Sequence, residues 1–174
     1  MSQGGDDSTT LAREARDFLA HFKTLVMATV DRSGSPEASY APFVRAQDDC
    51  LYVYVSGLSR HTANLAASGV VSVLLIEDES SAKQPFARKR LTFDCHAEPI
   101  ARESEPWHAI MDLFDKKFGN VIDLLRPLKD FQLFRLRMQR GFYVKGFGQA
   151  YRISDAALKT VEHIRDASGN TKPA

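Results

Sequence analysis

The stretch from Leu51 to Phe93, LYVYVSGLSRHTANLAASGVVSVLLIEDESSAKQPFARKRLTF, decides how the rest of the chain is read. It opens on a strand-like run, Leu51 to Val55, turns through Ser56-Gly57-Leu58, and sets Ser59, Arg60 and His61 at the start of a one-to-two-turn helix. Ser59 suits the N-cap. The first N–H groups of a helix lack internal partners, and the helix dipole adds partial positive charge beside the Arg60 guanidinium. A phosphate or a propionate suits such a place. Further on, Val70 to Ile76 is a continuous apolar run, as in a strand buried on both faces, and a long strand is read from about Pro85 to Ala97. Side chains alternate along a strand, so Arg88, Arg90 and Thr92 share one face while Lys89, Leu91 and Phe93 share the other. Two arginines about 7 Å apart either hold carboxylates or phosphates bidentately or stand solvated on an edge strand. Both halves of the stretch offer cations to a small anion.

Upstream, residues 1–10 read as a disordered lead-in, with Thr9 or Thr10 capping a helix that carries Leu11, Ala15, Phe18, Leu19 and Phe22 on one stripe. A meander follows. Thr24 to Val30 and Pro36 to Val44 flank the turn Asp31 to Ser35, and Gln47-Asp48-Asp49 turns the chain into Leu51. Downstream, one helix runs from about Ser104 through Trp107, Ile110, Met111, Phe114 and Phe118, and a short one from Val121 to Leu125 stops before Pro127. Phe131 to Met138 and Phe142 to Tyr151 read as a last hairpin turning at Arg140-Gly141. A terminal helix capped by Ser154, with Leu158, Val161 and Ile164 on one side, ends in a loose tail from Ser168 to Lys172. These elements predict a mainly β fold with helices (α+β): a barrel of six antiparallel strands over residues 11–153, helices across its open sides, then a C-terminal helix and tail over 154–174. Exposed strand edges predict a homodimer.

The chain has 174 residues, one domain's worth, and a formal net charge of +1, which argues against a nucleic-acid binder working through broad electrostatics. Cys50 and Cys95 sit in strand-like runs without metal-ligand spacing. With no apolar leader and no run long enough to span a bilayer, the expectation is a cytoplasmic protein without membrane insertion.

Ser59-Arg60-His61, followed by Asn64-Leu65 and Val70 to Asp78, resembles the Ser-Arg-Lys stretch of the pyridoxamine 5'-phosphate oxidase superfamily of FMN-binding split barrels. Ser39-Tyr40-Ala41-Pro42-Phe43, Ser59-Arg60-His61, Ala87-Arg88-Lys89-Arg90-Leu91, Phe134-Arg135-Leu136 and Val144-Lys145-Gly146-Phe147-Gly148-Gln149-Ala150, in that order, resemble its haem-utilisation branch. The resemblance implies a dimeric split barrel with haem at the dimer interface. It implies Asp130, His61 and Arg90 as the acid, histidine and arginine of the catalytic site. Arg88, Arg90 or Lys145 would match the propionates, and His163 is the histidine near the end that is available to the iron. The implied function is haem oxygenase-like degradation that releases iron, with an electron donor no motif identifies, or haem storage and delivery. The alternative is an FMN-dependent oxidoreductase, its flavin phosphate held by Ser59, Arg60 and Arg88 or Arg90, with His61 where the superfamily carries lysine.

Overall fold

A computed structural model of the chain describes the backbone of residues 4–164 and the side chains from residue 8 to residue 164. Strands β1 (Thr24–Val30), β2 (Pro36–Arg45), β3 (Leu51–Ser56), β4 (Val70–Ile76), β5 (Arg90–Ile100) and β6 (Phe131–Gly146) are hydrogen-bonded in the order β3-β2-β1-β4-β5-β6. Pairing of β3 with β6 closes these six into an antiparallel barrel, and β7 (Gln149–Ile153) and β8 (Val161–His163) continue the sheet beyond β6. The chain divides into two compact units: a meander unit of residues 23–73 and 95–137, and a terminal unit of residues up to 22, 74–94 and from 138 on.

The meander unit follows the sequence closely. Leu25, Met27 and Thr29 are buried on β1 while Thr24, Val26 and Ala28 face out, the period of a half-buried strand. Its register with β2 runs from Thr24↔Pro42 to Val30↔Pro36. The connecting turn is tied by Asp31, whose carboxylate accepts from the Ser33 hydroxyl and from the Ser33 and Ser35 amides; these bonds hold it below the usual carboxylate range. Helix α3 (Glu105–Phe118) starts where its cap predicts, with Ser104 Oγ accepting from the Trp107 N–H at 3.3 Å. It buries Trp107, Ile110, Met111 and Phe114 against Val44, Tyr52, Tyr54 and Leu133, at roughly 1.5–3 kcal/mol for each large side chain. The aromatic stripe is core. Helix α4 (Val121–Leu125) adds Ile122 to the same cluster.

On β4 the apolar run departs from the expectation of burial on both faces. Val71, Val73 and Leu75 are buried and Val70 is 57% exposed, so one face alone is fully covered. The hydropathy of a run does not reveal which side its sheet presents to water.

The terminal unit holds four further corrections. Helix α1 (Gly4–Ala20) begins within the expected lead-in, so residues 4–10 are helical; its stripe of Leu11, Ala12, Ala15 and Leu19 is buried. Strand β5 begins at Arg90, because Pro85–Ala87 forms a single 3-10 turn. Proline suits the first position of such a turn, and the Gln84 side chain accepts from the Phe86 N–H at its start. Arg88 therefore precedes the strand and shares no strand face with Arg90.

The expected turn at Arg140-Gly141 lies inside β6, a single strand of 16 residues. Gly141 answers a packing demand: a Cβ there would lie 2.7 Å from Cδ1 of the buried Phe93 ring. The turn comes at Phe147-Gly148, where Gly148 has φ +66°. No terminal helix forms over the described residues. Val161–His163 is strand β8, paired from Tyr151↔His163 to Ile153↔Val161. Beside the expected cap Ser154, the Asp155 carboxylate accepts from the Lys159 and Thr160 amides and closes a turn with Leu158 at φ 55°. Residues 1–3 and the tail from Ser168 to Lys172 lie outside the described residues. Among the described residues no helix is long and apolar enough to cross a membrane.

Candidate functional site

The registers of the meander unit create a gap. β3 pairs with β2 only from Phe43↔Val53 to Arg45↔Leu51, while Tyr54 to Ser56 pair with β6 and Ser39 to Pro42 pair with β1. The two strands splay past Phe43. A cavity of about 530 Å³ lies in this unit, lined by Ser39 and Tyr40 of β2, Tyr54 of β3, Phe131 of β6, and Ser59 and His61 at the start of α2 (Arg60–Ser68). Its aromatic walls and few polar groups have the composition of a small-molecule site.

Helix α2 is held by groups other than its expected cap. Ser59 has extended backbone, but its hydroxyl makes no capping bond. Thr62 Oγ1 donates instead to the Ser56 carbonyl at 2.6 Å, and Asn64 Nδ2 donates to Thr29 Oγ1 and Glu37 Oε2, both at 3.0 Å. Gly69, left-handed at φ 66°, ends the helix. Arg60 is exposed and approaches Glu37 only to 3.7 Å.

His61 is buried, and burial lowers its pKa, with the Glu37 charge opposing. The imidazole is therefore neutral at neutral pH. Its Nε2 and the Ser39 Oγ are both buried without a hydrogen-bond partner among the described residues. Unmatched polar atoms of this kind are costly unless a ligand or water meets them. Asp130 stands beside the cavity wall, accepting from Ser56 Oγ at 2.7 Å through its carboxylate and from the Gly57 N–H at 2.8 Å through its carbonyl.

The structure thus brings Ser59, His61 and Asp130 into one neighbourhood with Arg60 alongside. The other residues singled out from sequence belong to the terminal unit. Arg88 donates to the Glu77 carbonyl and pairs with Glu79 at 3.0 Å, stapling its own loop. Arg90 is half-buried and donates to the Arg88 carbonyl at 3.1 Å. Lys145 pairs with Glu14 at 2.6 Å. His163 lies edge-on to Tyr151, ring centroids 5.0 Å apart, with Nε2 3.0 Å from the Gly148 carbonyl. A carbonyl only accepts, so Nε2 carries the proton; Nδ1 is buried without a partner. The sequence reading missed Tyr54 and Phe131 as walls, since nothing local distinguishes them from core aromatics.

Among the described residues no three or more His, Cys, Asp or Glu side chains gather as a metal cage. A metal already held by a macrocycle needs only one or two protein donors.

The sequence matches the pyridoxamine 5'-phosphate oxidase family over residues 11–145. It is 46% identical over 156 residues to "Heme oxygenase HutZ" of Vibrio cholerae, covering 90% of this chain and 88% of that protein. A crystal structure of Vibrio cholerae HutZ, described there as a haem storage protein, superposes with TM-score 0.75 at 45% identity, over 78% of this chain and 96% of that one. ChuZ of Campylobacter jejuni superposes with TM-score 0.82 at 35% identity over 94% of this chain, which spans 65% of ChuZ.

Proposed function

The chain belongs to the pyridoxamine 5'-phosphate oxidase family, and from that premise we propose that it binds haem and serves haem utilisation, opening the macrocycle with oxygen and electrons from an external reductant and releasing iron. The observation that carries this reading is the aromatic-walled cavity bearing the buried, unmatched His61 Nε2 and Ser39 Oγ, in a chain so similar to HutZ. Flat rings suit the walls of Tyr40, Tyr54 and Phe131. When bound, haem supplies oxygen activation at its iron.

The chain's own groups supply the setting. His163 would be the protein's donor to the haem iron. Its Nε2–H on the Gly148 carbonyl fixes the tautomer and leaves the lone pair on the buried Nδ1, the orientation device common to ligating histidines. Neutral His61 can take or give a proton, and Asp130 places negative charge beside the cavity. Arg90 is assigned to a propionate. Arg88 and Lys145 can share that task only by exchanging their present partners, Glu77 with Glu79 and Glu14.

A second copy of the chain is the proposed cover for Tyr40, 68% exposed, and Leu58, 91% exposed. The proposed location is the cytoplasm, where Cys50 and Cys95 stay reduced; both are buried thiols outside any disulfide among the described residues. A flavin reading draws on a different feature, the uncommitted Ser59 hydroxyl beside the exposed Arg60, which suits an FMN phosphate.

Hemin titration tests the assignment. A Soret band saturating at one haem per chain supports it, and its decay with ascorbate in air supports ring opening over storage. Absence of a Soret shift, with a yellow flavin spectrum instead, overturns it. His163→Ala should abolish the low-spin spectrum; an unchanged spectrum removes His163 from the iron.

A further inference from the structure

A second cavity, of about 370 Å³, lies in the terminal unit, and of its lining the haem reading draws only on Lys145, as an alternative partner for a propionate. Two loops build it. One is the polar segment between β4 and β5, which contributes Lys83, Gln84 and Lys89; the other is the β6–β7 turn, which contributes Lys145, Phe147 and Gln149.

The turn has an unusual build for a hairpin. The register shifts between Val144 and Gly146, Gly148 takes φ +66°, and Phe147 is left at the apex with 63% of its surface exposed. A phenyl ring so placed contributes little to folding, yet offers a face to a planar ligand.

Three ammonium groups line the same cavity. Lys145 is paired with Glu14 at 2.6 Å and meets a phosphate by exchanging that partner, and Lys89 lies over the Phe18 ring at 5.7 Å. Glu77 also lines the wall, but one of its carboxylate oxygens already accepts from the Lys89 amide at 2.6 Å. The positive groups outnumber the negative ones, and lysine is a natural phosphate ligand. The side-chain oxygen of Gln84 accepts from the Phe86 N–H, so its amino end is the part available to a ligand's acceptors.

We propose that this cavity binds a nucleoside diphosphate, its phosphates on Lys83, Lys89 and Lys145 and its base against Phe147. The volume is at the scale of small-molecule sites and excludes extended polyanions from the interior. The near-neutral net charge of +1 fits a ligand held locally rather than by a broad field.

Calorimetric titration of the full chain with ADP tests the assignment, with pyrophosphate and adenosine as separate arms. ADP is expected to bind more tightly than either fragment. Lys83→Ala should weaken ADP and pyrophosphate about tenfold each, the loss of one charge-assisted hydrogen bond. Phe147→Ala should weaken ADP about tenfold and leave pyrophosphate unchanged. Both side chains are exposed, so the variants should keep the wild-type melting temperature. No binding of ADP at millimolar concentration overturns the proposal, as does ADP affinity untouched by either substitution or equalled by pyrophosphate. Hemin titration of the same variants reads the haem site independently; an unchanged Soret titration is expected whatever the ADP result.

Discussion

Replacing Gly57 by alanine should disturb the cavity wall without touching any residue that lines it. The added Cβ would stand 2.9 Å from the Asp130 carbonyl oxygen and 3.6 Å from Asp130 Cβ. Ordinary contact begins about half an ångström farther out, and the obstacle is backbone, so no rotamer change relieves it. Overpacking of this size costs about 1–3 kcal/mol. Stretching the Gly57 N–H to Asp130 bond, now 2.8 Å, removes about 0.5–1.5 kcal/mol more. The reduced freedom of the unfolded chain returns roughly 0.4–1 kcal/mol. The net loss is about 0.5–4 kcal/mol, and at roughly 2–4 °C for each kcal/mol in a chain of this size the melting temperature should fall by about 1–16 °C. Thermal denaturation followed by circular dichroism measures it, with Asp130→Ala as control. That control loses the Ser56 bond but retains the carbonyl, so combining it with Gly57→Ala should not rescue the alanine. A Gly57→Ala protein melting within about 1 °C of wild type would refute the claim that segment 128–131 is braced on Gly57.

Arg126→Ala should cost about 1–2 kcal/mol, since Arg126 both pairs with Asp115 and lies over the Trp107 ring at 5.6 Å; urea unfolding of Arg126→Ala beside Arg126→Lys reads it, and equal stability of wild type and the alanine variant counts against the clamp. His61 should make folding sensitive to acid. Unfolded, it titrates near 6.5, and burial pulls the folded value lower, so the unfolded chain binds more protons as pH falls from about 6.5 toward the folded value. Stability is lost across that window, and the wild type should lose more than His61→Gln between pH 7 and pH 5; parallel curves would contradict the buried neutral imidazole. The Cys50 thiol is pushed up to about 11, chiefly by burial, and Cys95 is buried as well. Neither should react with a disulfide reagent at pH 8 before guanidinium is added, and rapid labelling of the native chain would overturn this.

The meander from Thr24 to Ser56 was legible because each strand shows its own period and each turn its own chemistry: Asp31 with Ser33 and Ser35, then Asp48 before Cys50. The α3 stripe was legible for the same reason, with a cap at Ser104 and buried residues three and four apart. Misreadings fell where one local signal serves two structures. Ser154-Asp155 suits a helix cap and a turn equally, and Leu158, Val161 and Ile164 keep helical spacing although Leu158 sits in a turn and pairing with β7 makes Val161–His163 a strand. Arg140-Gly141 looks like a turn until Phe93 is placed beside it, a contact nearly fifty residues distant in sequence.

The site was harder to read, because sequence names charged groups but not their partners. The pair Arg88 and Arg90 looked equivalent, yet Arg88 is consumed by Glu77 and Glu79 within its own loop. Ser59 looked like a cap, yet Thr62 does the tying and leaves the serine hydroxyl free of that role. His61 gains its character from burial beside Glu37, a strand away, and not from its neighbours in the chain. Each case follows one rule. A side chain that satisfies its own loop is structural, and a buried polar atom that nothing satisfies marks where a ligand belongs. By that rule His61 and Ser39 carry the proposed haem assignment, and the arginine-rich stretch adds little to it, since Arg88 and Arg90 both donate to carbonyls of their own segment.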